Sequence, residues 1–392
     1  MNFDINKIPH INEIANNGSF NGARSKNTET FQQRCRDCNK IVPSLEEAIK
    51  KSGLRDGMTI SFHHHFRNGD HIINNVLDKL AEMGFKNLTL AASSLSAVHA
   101  PLIEHIRSGL ITHIETSGLR GELAEQISRG LMDFPVVFRS HGGRASAIRS
   151  GELHIDVAFL GAPSCDPYGN ANGYSRDDDD GISCGSLGYA RTDAEFADKV
   201  IIITNNIVSY PNAPWAIPEH DVDYVVRVDD IGDPKGIMSG ATRYTKDPKE
   251  LLIAKTAANV VEAAGYLYDG FSMQMGSGGA SLATARFIRQ KMLDKGIHCR
   301  FALGGITGQI TAMHEEGLID RILDVQSFDL DAAKSLKNNH FHHQISATYY
   351  ASHLVATAAE QLDFVILSAL EIDTDFNVNV LTGSDGVIRG AI

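Results

Sequence analysis

The amino-acid sequence predicts an α/β protein made of two tandem, related domains with mostly parallel sheets. Three observations predict this fold class. Short apolar runs end in Ser, Thr or Gly and lead into segments with the apolar spacing of a helix, which is the βαβ pattern of a parallel sheet. A glycine-rich turn joins one of these strands to its helix. Several sequence blocks also occur twice, in the same order, in the two halves of the chain.

This repeat predicts the domain organisation. The matching blocks are Leu54–Phe62 with Leu267–Met275, Gly109–Ile111 with Gly317–Ile319, Asp156–Leu160 with Asp363–Leu367, and Asn170–Asn172 with Asn377–Asn379. Identity within the blocks is low, so the inference rests on their common order. We expect an N-terminal arm over residues 1–40, a first α/β domain over 41–245 and a second over 246–392. Nothing in the second half matches residues 186–245, so we expect the second domain to be incomplete at Ile392.

Composition and charge disfavour several classes of function. With 392 residues and 43% hydrophobic content, the chain can bury two ordinary domain cores. We recognise no signal peptide and no apolar run long enough to span a bilayer. The five cysteines lack disulfide-framework spacing, which is typical of a reducing cytoplasm, and Cys35-x-x-Cys38 alone is a poor zinc or redox motif. The net charge of −12 disfavours nucleic acid as a partner but permits a small anion in a basic pocket.

The elements follow in order along the chain. Ser44 is predicted to cap a helix, with Glu47 completing a capping box, and Asp247-Pro248 begins another helix. Residues 209–247 contain several prolines and are predicted to be irregular cover and inter-domain linker. A helix is predicted over Ala280–Lys295. The predicted strands are Met58–Phe62, Leu88–Ala92, Ile111–Glu115, Pro135–Phe138, Asp156–Leu160, Lys199–Ile203, Phe271–Met275 and Phe364–Leu367.

The glycine turn after Phe271–Met275 is the first candidate site. Because a strand, a turn and a helix start meet here, several backbone N–H groups surround one hollow at the positive end of a helix. Such donors suit a carboxylate or the oxyanion of a reacting carbonyl. The alternative is a tight turn that needs small residues and binds nothing. The catalytic candidates in this turn are Ser277, Gly278, Gly279 and Ala280.

A histidine-rich turn occupies the equivalent place in the first domain. His63, His64, His65 and Arg67 follow the strand Met58–Phe62 and indicate anion binding or proton chemistry. A transition-metal site is the alternative, although the side chains of adjacent residues diverge and are poorly placed to hold one ion. The carboxylates of Asp177–Asp180 are interpreted as a solvated loop, with a cation site as the alternative.

Two further polar segments also follow predicted strands. Ligands of parallel sheets bind at the carboxyl ends of the strands, and the planar donors of arginine can hold both oxygens of a carboxylate. The segment after Pro135–Phe138 is therefore interpreted as an anion site, with a solvated basic turn as the alternative. In the second domain, Arg300 precedes another glycine turn. The candidates in the two segments are Arg139, Ser140, His141, Gly142, Gly143 and Arg144, and Arg300, Gly304 and Gly305.

Three segments together carry a resemblance to a known family: Ile60–Asp70 (ISFHHHFRNGD), Phe138–Arg144 (FRSHGGR) and Ala369–Asp373 (ALEID). They resemble the alpha subunit of citrate lyase, within the coenzyme A transferase superfamily. The resemblance begins near residue 35 and runs to Ile392. It implies two domains of coenzyme A transferase type that meet at a cleft. It also implies a cytoplasmic homo-oligomer within a complex that contains a citryl-lyase subunit and an acyl carrier protein.

The resemblance further implies a citrate transferase that acts on the acetylated acyl carrier protein. Acetyl carrier and citrate would give citryl carrier and acetate through a citric–acetic anhydride. The chain itself would bind no metal and no cofactor, because the pantetheine-type prosthetic group, a coenzyme A derivative, arrives on the carrier. The backbone donors at Ser277–Ala280 would hold the oxyanion. The citrate trianion would be held by Arg139, Arg144, Arg300 and the histidines His63–His65.

The identity of the nucleophile stays open at this stage. Many members of the superfamily use a glutamate, and Gln344 lies near that place, where an amide cannot form an acyl anhydride. Gln344 is then a substrate-binding residue, and a citrate carboxylate attacks the thioester itself. One alternative is a coenzyme A transferase with Glu371 as covalent nucleophile, although Glu371 could also be a structural carboxylate. The other is a non-catalytic scaffold that binds a carrier protein or a polycarboxylate.

Overall fold

The computed structural model describes residues 39–175, 183–238, 245–276 and 278–391. Most of the predicted arm, the Cys35-x-x-Cys38 pair, the Asp177–Asp180 run and Ser277 lie outside the described residues. The two halves of the described chain each form a parallel sheet with helices packed around it.

The first half contains the larger sheet. Its strands are β1 (Ile41–Val42), β2 (Thr59–Phe62), β3 (Leu88–Ala92), β4 (Ile111–Thr116), β5 (Val137–Phe138), β6 (Val157–Gly161), β7 (Ser164–Cys165), β8 (Ala171–Asn172), β9 (Lys199–Thr204) and β10 (Tyr224–Arg227). Its helices are α1 (Leu45–Ser52), α2 (Ile72–Glu82), α3 (Leu102–Arg107), α4 (Gly121–Ser128), α5 (His141–Ser150) and α6 (Gly188–Phe196). The parallel sheet has the order β1-β10-β9-β6-β2-β3-β4-β5, and β7 and β8 form a small antiparallel pair.

The second half contains a smaller parallel sheet. Its strands are β11 (Phe271–Met275), β12 (Cys299–Ile306), β13 (Ile322–Ser327), β14 (His342–Gln344), β15 (Phe364–Ile366), β16 (Glu371–Ile372) and β17 (Val378–Asn379). Its helices are α7 (Pro248–Ala263), α8 (Gly279–Lys295), α9 (Gly308–Glu315), α10 (Leu330–Asn338) and α11 (Ala347–Ala351). The sheet has the order β14-β13-β12-β11-β15, and β16 pairs with β17 in an antiparallel hairpin. Short 3₁₀ turns cover Arg67–Gly69, Ala97–His99, Glu219–Asp221, Pro234–Met238 and Ala359–Gln361.

Local sequence signals explain where the helices begin and end. Ser44 caps α1 by accepting a hydrogen bond from the backbone N–H of Glu47, as predicted. The same helix ends at Gly53, whose φ of 74° lies in the left-handed region that favours glycine. Asp247 caps α7 and is followed by Pro248 in the first turn, which is also as predicted.

The strand order contains the predicted repeat. In the first sheet, β6, β2, β3, β4 and β5 are neighbours in that order, and in the second sheet β15, β11, β12, β13 and β14 follow the same order. The predicted blocks fall on corresponding elements, since Leu54–Phe62 ends in β2 and Leu267–Met275 ends in β11. The predicted α/β class with mostly parallel sheets is confirmed, while the exact domain boundaries stay predictions.

The prediction of an irregular linker over residues 209–247 is wrong in its middle. β10 lies between β1 and β9, and Val225 and Val226 are fully buried there. The apolar run of this strand is short and follows a proline-containing segment, so no periodicity separates it from a loop. β10 is therefore a buried interior strand of the first sheet, in a region that the sequence predicted to be irregular.

Apolar packing joins the two halves. Besides one core in each half, a third cluster contains Tyr189 of α6 together with Phe301 of β12, Val325 of β13 and Tyr350 of α11. The apolar surface that these residues bury stabilises the packing of α6 against the second sheet. Among the described helices, none is both long and apolar enough to cross a membrane.

Candidate functional site at the carboxyl ends of the two sheets

The carboxyl ends of β2 and β13 are in direct contact. The Nε2 of Gln326, in β13, donates a hydrogen bond of 3.1 Å to the backbone carbonyl of His64, which follows β2. The Cζ of Arg67 lies 4.4 Å from the centre of the Phe328 ring. Ligands of parallel sheets bind at this end of the strands, so the contact marks the candidate site.

The first two histidines after β2 are buried and each has a fixed partner. His63 Nε2 lies 2.9 Å from the carbonyl oxygen of Gly161, and His64 Nδ1 lies 2.6 Å from Oγ of Ser93. Burial, above all, lowers the pKa of His63 to about 3, and burial together with the charge of Arg67 holds the pKa of His64 well below its usual value. Both rings are neutral at pH 7. They can donate or accept hydrogen bonds, but they do not supply the positive charge predicted for them.

The third histidine forms a buried pair with Asp70. His65 Nδ1 lies 2.6 Å from Oδ2 of Asp70, and both side chains are inaccessible to solvent. Although burial raises the pKa of Asp70, the charge of His65 and its hydrogen bond bring it to about 2. The other carboxylate oxygen accepts a hydrogen bond from the backbone N–H of Ile72 at the start of α2. The pair therefore fixes the turn to the helix, and the predicted substrate-binding role of His65 stays a prediction.

Two arginines supply the positive charge at this edge. Arg67 is buried and has a φ of 55°, an uncommon conformation for a residue other than glycine, and Arg120 is the N-cap of α4 just after β4. Burial, and then the charge of Arg120, lowers the pKa of Arg67 to about 10, and burial also lowers the pKa of Arg120. Arg67 donates a hydrogen bond of 3.2 Å to the carbonyl of Ile237. Within the described part of the chain, neither guanidinium forms an ion pair with a carboxylate.

The groups around the two arginines are neutral or already occupied. Asp329, whose charge also acts on Arg67, accepts hydrogen bonds from the backbone N–H groups of Gly308 and Ala332. Burial and the charge of Arg120 lower the pKa of His141 to about 4, so this ring is also neutral at pH 7. The positive charge of the arginines is thus left for a ligand.

The glycines at the end of β12 allow side chains to approach the strand closely. A Cβ on Gly305 would lie 2.1 Å from the Phe328 ring. Gly304 has a φ of 100°, and a Cβ there would lie 2.8 Å from the side chain of Gln274. The second predicted glycine turn therefore lies beside the ring that contacts Arg67, where no larger residue fits.

The other predicted glycine turn leads into α8 in the neighbouring strand position. Gly278 is the N-cap of this helix, and no side chain caps it. The first backbone N–H groups of a helix have no partner within the helix, and no described side chain is seen to accept from those of Gly279 and Ala280. Ser277 lies outside the described residues. The oxyanion role of this turn stays a prediction.

The arginines of the Arg139–Arg144 segment are neutralised by carboxylates. Arg144 donates from Nη1 to Oδ1 of Asp193 over 2.7 Å and from Nη2 to Oδ2 over 2.9 Å, and both side chains are buried. Arg139 donates to Glu115 over 2.6 Å and to Glu152 over 2.9 Å. The prediction that these arginines hold citrate conflicts with this pairing, because partners within the fold already balance their charges.

The remaining residues of this segment shape the contact between the halves. Ser140 caps α5 by accepting a hydrogen bond of 3.0 Å from the backbone N–H of Gly143. A Cβ on Gly142 would lie 2.0 Å from the carbonyl oxygen of Ala351 in α11. The glycine pair therefore lets α5 pack against the second half. Because Gly142 and Arg144 are buried, the segment is not a solvated basic turn.

Three predicted residues form no hydrogen bond or ion pair with either arginine in the described part of the chain. Arg300 is exposed at the amino end of β12, so the length of the extended strand separates it from Gly304. Glu371 is exposed in β16, where its Oε2 accepts a hydrogen bond of 2.9 Å from Asn379. Gln344 ends β14 and borders a cavity two strands from β12. These residues lie near a glycine turn or a motif in the sequence, but the structure places them on three different strands.

Sequence reasoning missed Arg120, Gln326 and Phe328. Arg120 directly follows the strand end at Thr116, so the rule that ligands collect at strand ends could have found it. Gln326 and Phe328 carry no motif. Their position became visible only with the packing of one half on the other.

A possible metal-binding group lies at the opposite edge of the first sheet. Among the described residues, His154, Asp156 and Asp198 place one ligand atom each within 4.8 Å of one another, at the amino ends of β6 and β9. Hydrogen bonds to the two carboxylates raise the pKa of His154 to about 10. The ring is therefore protonated at pH 7, and its charge offsets part of the negative charge of the two aspartates.

Almost the whole chain matches a known protein family. Residues 38–392 match the family described as Citrate lyase, alpha subunit (CitF). The chain belongs to the citrate lyase alpha subunit family. The match covers all the strands and both glycine turns, so the family resemblance seen in the sequence is confirmed.

Individual relatives support the assignment to the citrate lyase alpha subunit family. The chain is 59% identical over 365 residues to the citrate lyase alpha chain of Haemophilus influenzae, covering 93% of this chain and 72% of the relative. The corresponding Escherichia coli protein is 57% identical over 365 residues, covering 93% and 71%. A solved structure from Streptococcus mutans, described as the alpha subunit of citrate lyase in complex with citrate, is 56% identical with a TM-score of 0.87 and covers 91% of this chain and 70% of that one.

The fold extends beyond the citrate lyase alpha subunit family. A malonate decarboxylase hetero-tetramer from Pseudomonas, solved in complex with malonate, has a TM-score of 0.66 at 16% identity, covering 90% of this chain and 64% of that one. At this identity the likeness shows a shared fold and nothing about the ligand.

Proposed function

We propose that this chain transfers the thioester of an acyl carrier protein from acetate to citrate. The observation that carries the proposal is the pair Arg67 and Arg120. Their guanidiniums lie close enough for one charge to lower the pKa of the other, and neither is paired with a carboxylate in the described residues. Membership of the citrate lyase alpha subunit family and the citrate complex of the Streptococcus mutans relative support citrate as the anion.

The charge pattern suits a polycarboxylate better than a monocarboxylate. Each guanidinium can hold one carboxylate through two parallel hydrogen bonds. Arg67 and Arg120 would then hold two of the three citrate carboxylates, and the neutral ring of His141 can donate to an oxygen between them. Acetate would leave one guanidinium without a partner, so it would leave the site readily after the reaction.

The chemistry requires no carboxylate from the protein. A citrate carboxylate oxygen attacks the acetyl carbon of the thioester, a C–O bond forms, and the C–S bond breaks to give a citric–acetic anhydride and a thiolate. The thiolate then attacks the citryl carbonyl carbon and forms a C–S bond. The bond between that carbon and the bridging oxygen of the anhydride breaks, and the oxygen leaves with the acetyl group as acetate. No net proton is taken up or lost. The carbons keep their oxidation states.

The protein contributes donors and orientation. Each attack passes through an oxyanion, which the backbone N–H groups of Gly279 and Ala280 at the start of α8 can stabilise. Gln326 and Phe328 hold the second half against the turn that carries Arg67. Because both reactants are held at one pair of strand ends, orientation contributes much of the rate.

The partners and the location belong to the same proposal. The thioester substrate is the pantetheine-type group of an acyl carrier protein, and the citryl product passes to a lyase subunit in a complex that contains more than one copy of this chain. A cytoplasmic location is supported by Cys165, Cys184 and Cys299, which are free buried thiols.

A direct assay tests the proposal. The purified chain is mixed with acetylated acyl carrier protein and citrate, and the release of labelled acetate and the mass of the carrier are measured. We expect acetate release that depends on citrate and a carrier mass that changes from acetyl to citryl. Acetate release without citrate would indicate a hydrolase. Citrate binding without acetate release would favour the non-catalytic scaffold.

A further inference from the structure

A cavity between the two halves lies outside the arginine pair. It has a volume of about 260 Å³ and is open on one side to solvent. The start of α6 with Gly188 and Arg191 forms one wall, Trp215 forms another, and Gln344 and Ser346 at the end of β14 close it from the second half. The proposed reaction assigns no role to this cavity.

The side-chain oxygen of Gln344 has no partner among the described residues. Its Oε1 is buried and accepts no hydrogen bond from any of them. A buried acceptor without a partner costs free energy, so the site is suited to a ligand that brings a donor. A carboxamide offers one acceptor beside its donors, which is the complement of a secondary amide. Carboxylates carry no donor and do not match this pattern.

The other walls suit the rest of an amide-containing chain. Arg191 donates from Nη1 to the carbonyl of Ala216 over 3.1 Å, and Nη2 lies 3.9 Å from Asp221, so further guanidinium N–H groups can donate to a carbonyl oxygen of a ligand. The ring of Trp215 is 47% exposed and offers an apolar surface for methylene groups.

The cavity lies along the same sheet edge as the glycine turn. Gln344 pairs in register with Asp324 of β13, and Gln326 of the same strand pairs with Gly305 of β12. The distance from β14 to β12 is therefore two strand spacings, roughly 10 Å. A flexible arm with an amide in the cavity can thus place its far end beside Gly305.

We propose that this cavity binds an internal amide of the pantetheine-type arm, with Gln344 pairing to the amide and Trp215 covering the methylene chain, while the thioester end reaches the glycine turn of β12. The inference rests on the proposed function, because that reaction supplies a thioester on such an arm. It makes Gln344 a residue that distinguishes long thioesters from short ones. In this proposal Gln344 does not bind citrate.

Tryptophan fluorescence tests the binding without any turnover. The chain contains a single tryptophan, so the signal of Trp215 reports on this cavity alone. Titration with free pantetheine should give a saturable change in emission, and citrate should give none. Gln344→Leu should weaken pantetheine binding about tenfold, the effect of losing roughly 1.4 kcal/mol of hydrogen bonding. Gln361→Leu, at an exposed glutamine elsewhere, should bind like the wild type.

Two outcomes of the titration would overturn the proposal. One is the absence of a saturable change with pantetheine, and the other is an unchanged affinity in Gln344→Leu. If Gln344→Leu does not fold, as judged by its thermal transition, Gln344→Glu replaces it. This variant keeps the size of the side chain but removes the N–H donors, and it should also weaken binding.

Transfer kinetics separate this proposal from the proposed function. Acetyl-pantetheine and the S-acetyl thioester of N-acetylcysteamine, which lacks the distal amide, are compared as acetyl donors to citrate. Gln344→Leu should lower kcat/KM about tenfold for acetyl-pantetheine and leave the shorter thioester and the KM for citrate unchanged. An equal loss for both thioesters would overturn the cavity assignment. No transfer from either thioester or from the acetylated carrier would count against the proposed function, while the fluorescence titration would still decide the cavity.

Discussion

The guanidinium carbon of Arg67, in the first half of the chain, lies 4.4 Å from the centre of the Phe328 ring in the second half. An aromatic face attracts a cation through its quadrupole but does not neutralise it. The contact therefore orients the arginine and leaves its charge for a ligand. Arg144 shows the contrast, because Asp193 holds both of its terminal nitrogens and balances its charge.

Replacing Arg120 with Gln should raise the KM for citrate by at least tenfold. A hydrogen bond to a charged group contributes about 1.5–3 kcal/mol, and a tenfold change corresponds to roughly 1.4 kcal/mol. The melting temperature should not fall, because the change removes a like charge near Arg67. Steady-state kinetics with varied citrate measure the effect. Arg300→Gln, at the amino end of β12, is the matched control and should keep the wild-type KM. An unchanged KM in Arg120→Gln would contradict the site assignment.

Adding one methyl group at Gly305 should lower transfer activity more than tenfold. A Cβ there would lie 2.1 Å from the Phe328 ring, so the ring must move and Arg67 loses its platform. Gly305→Ala is compared with the double variant Gly305→Ala/Phe328→Leu, in which the smaller side chain makes room. We expect the double variant to recover thermal stability but not activity. Full activity in Gly305→Ala would show that the ring contact has no role in the reaction.

Changing Glu371 to Gln should leave at least half of the transfer activity. The carboxylate is exposed in the β16–β17 hairpin and accepts a hydrogen bond from Asn379. In the described part of the chain it forms no ion pair with Arg67 or Arg120. The acetate-release assay measures the variant. Wild-type chain incubated with acyl thioester and then with hydroxylamine provides the second measurement. A hydroxamate on Glu371, found by mass spectrometry, would establish the covalent mechanism instead.

The sequence predicted the elements more accurately than the site. Strands such as Leu88–Ala92 and Phe271–Met275 have the predicted bounds, because an apolar run between polar ends is a local signal. The repeat was also visible, since it is a property of order along the chain. β10 was missed because its burial depends on β1, which comes from a distant part of the chain.

The site residues were harder to predict because charge pairing is a tertiary property. Arg139 and Arg67 both follow strands and look equivalent in the sequence, yet two carboxylates balance the charge of the first and a phenyl ring faces the second. Neutral histidines show the same limit. Burial is the main cause that lowers the pKa of His63 to about 3, and burial cannot be inferred from a run of polar residues.

Breaking the buried pair of Arg144 and Asp193 should destabilise the fold strongly. Leaving one buried charge without its partner costs about 3–5 kcal/mol, so Asp193→Asn should lower the free energy of unfolding by an amount in this range. Arg139→Gln is the comparison, because its partly exposed pairs contribute about 1 kcal/mol or less. Urea unfolding measures both. Equal losses in the two variants would contradict the distinction between a buried and a partly exposed pair.

The neutral histidines predict that the fold loses stability in mild acid. The pKa of His141 is lowered to about 4, below the usual value near 6.5, so between these two pH values only the unfolded chain takes up the proton. The free energy of unfolding should therefore fall as the pH drops from 6.5 towards 4, by at most about 1.4 kcal/mol per pH unit for each such group. His63 and His99, with pKa values of about 3 and about 4, act in the same direction.

Replacing His141 with Gln should make this acid slope shallower, because one proton-binding group is removed from the unfolded chain. His154→Gln is the control. The pKa of His154 is raised to about 10, so its contribution to stability is fully present below pH 6.5 and is lost as the pH rises from 6.5 through 10. This variant should keep the wild-type dependence between pH 6.5 and 4. Urea unfolding at pH 7, 5.5 and 4.5 compares the three proteins, and an unchanged acid slope in His141→Gln would show that this ring is protonated in the fold.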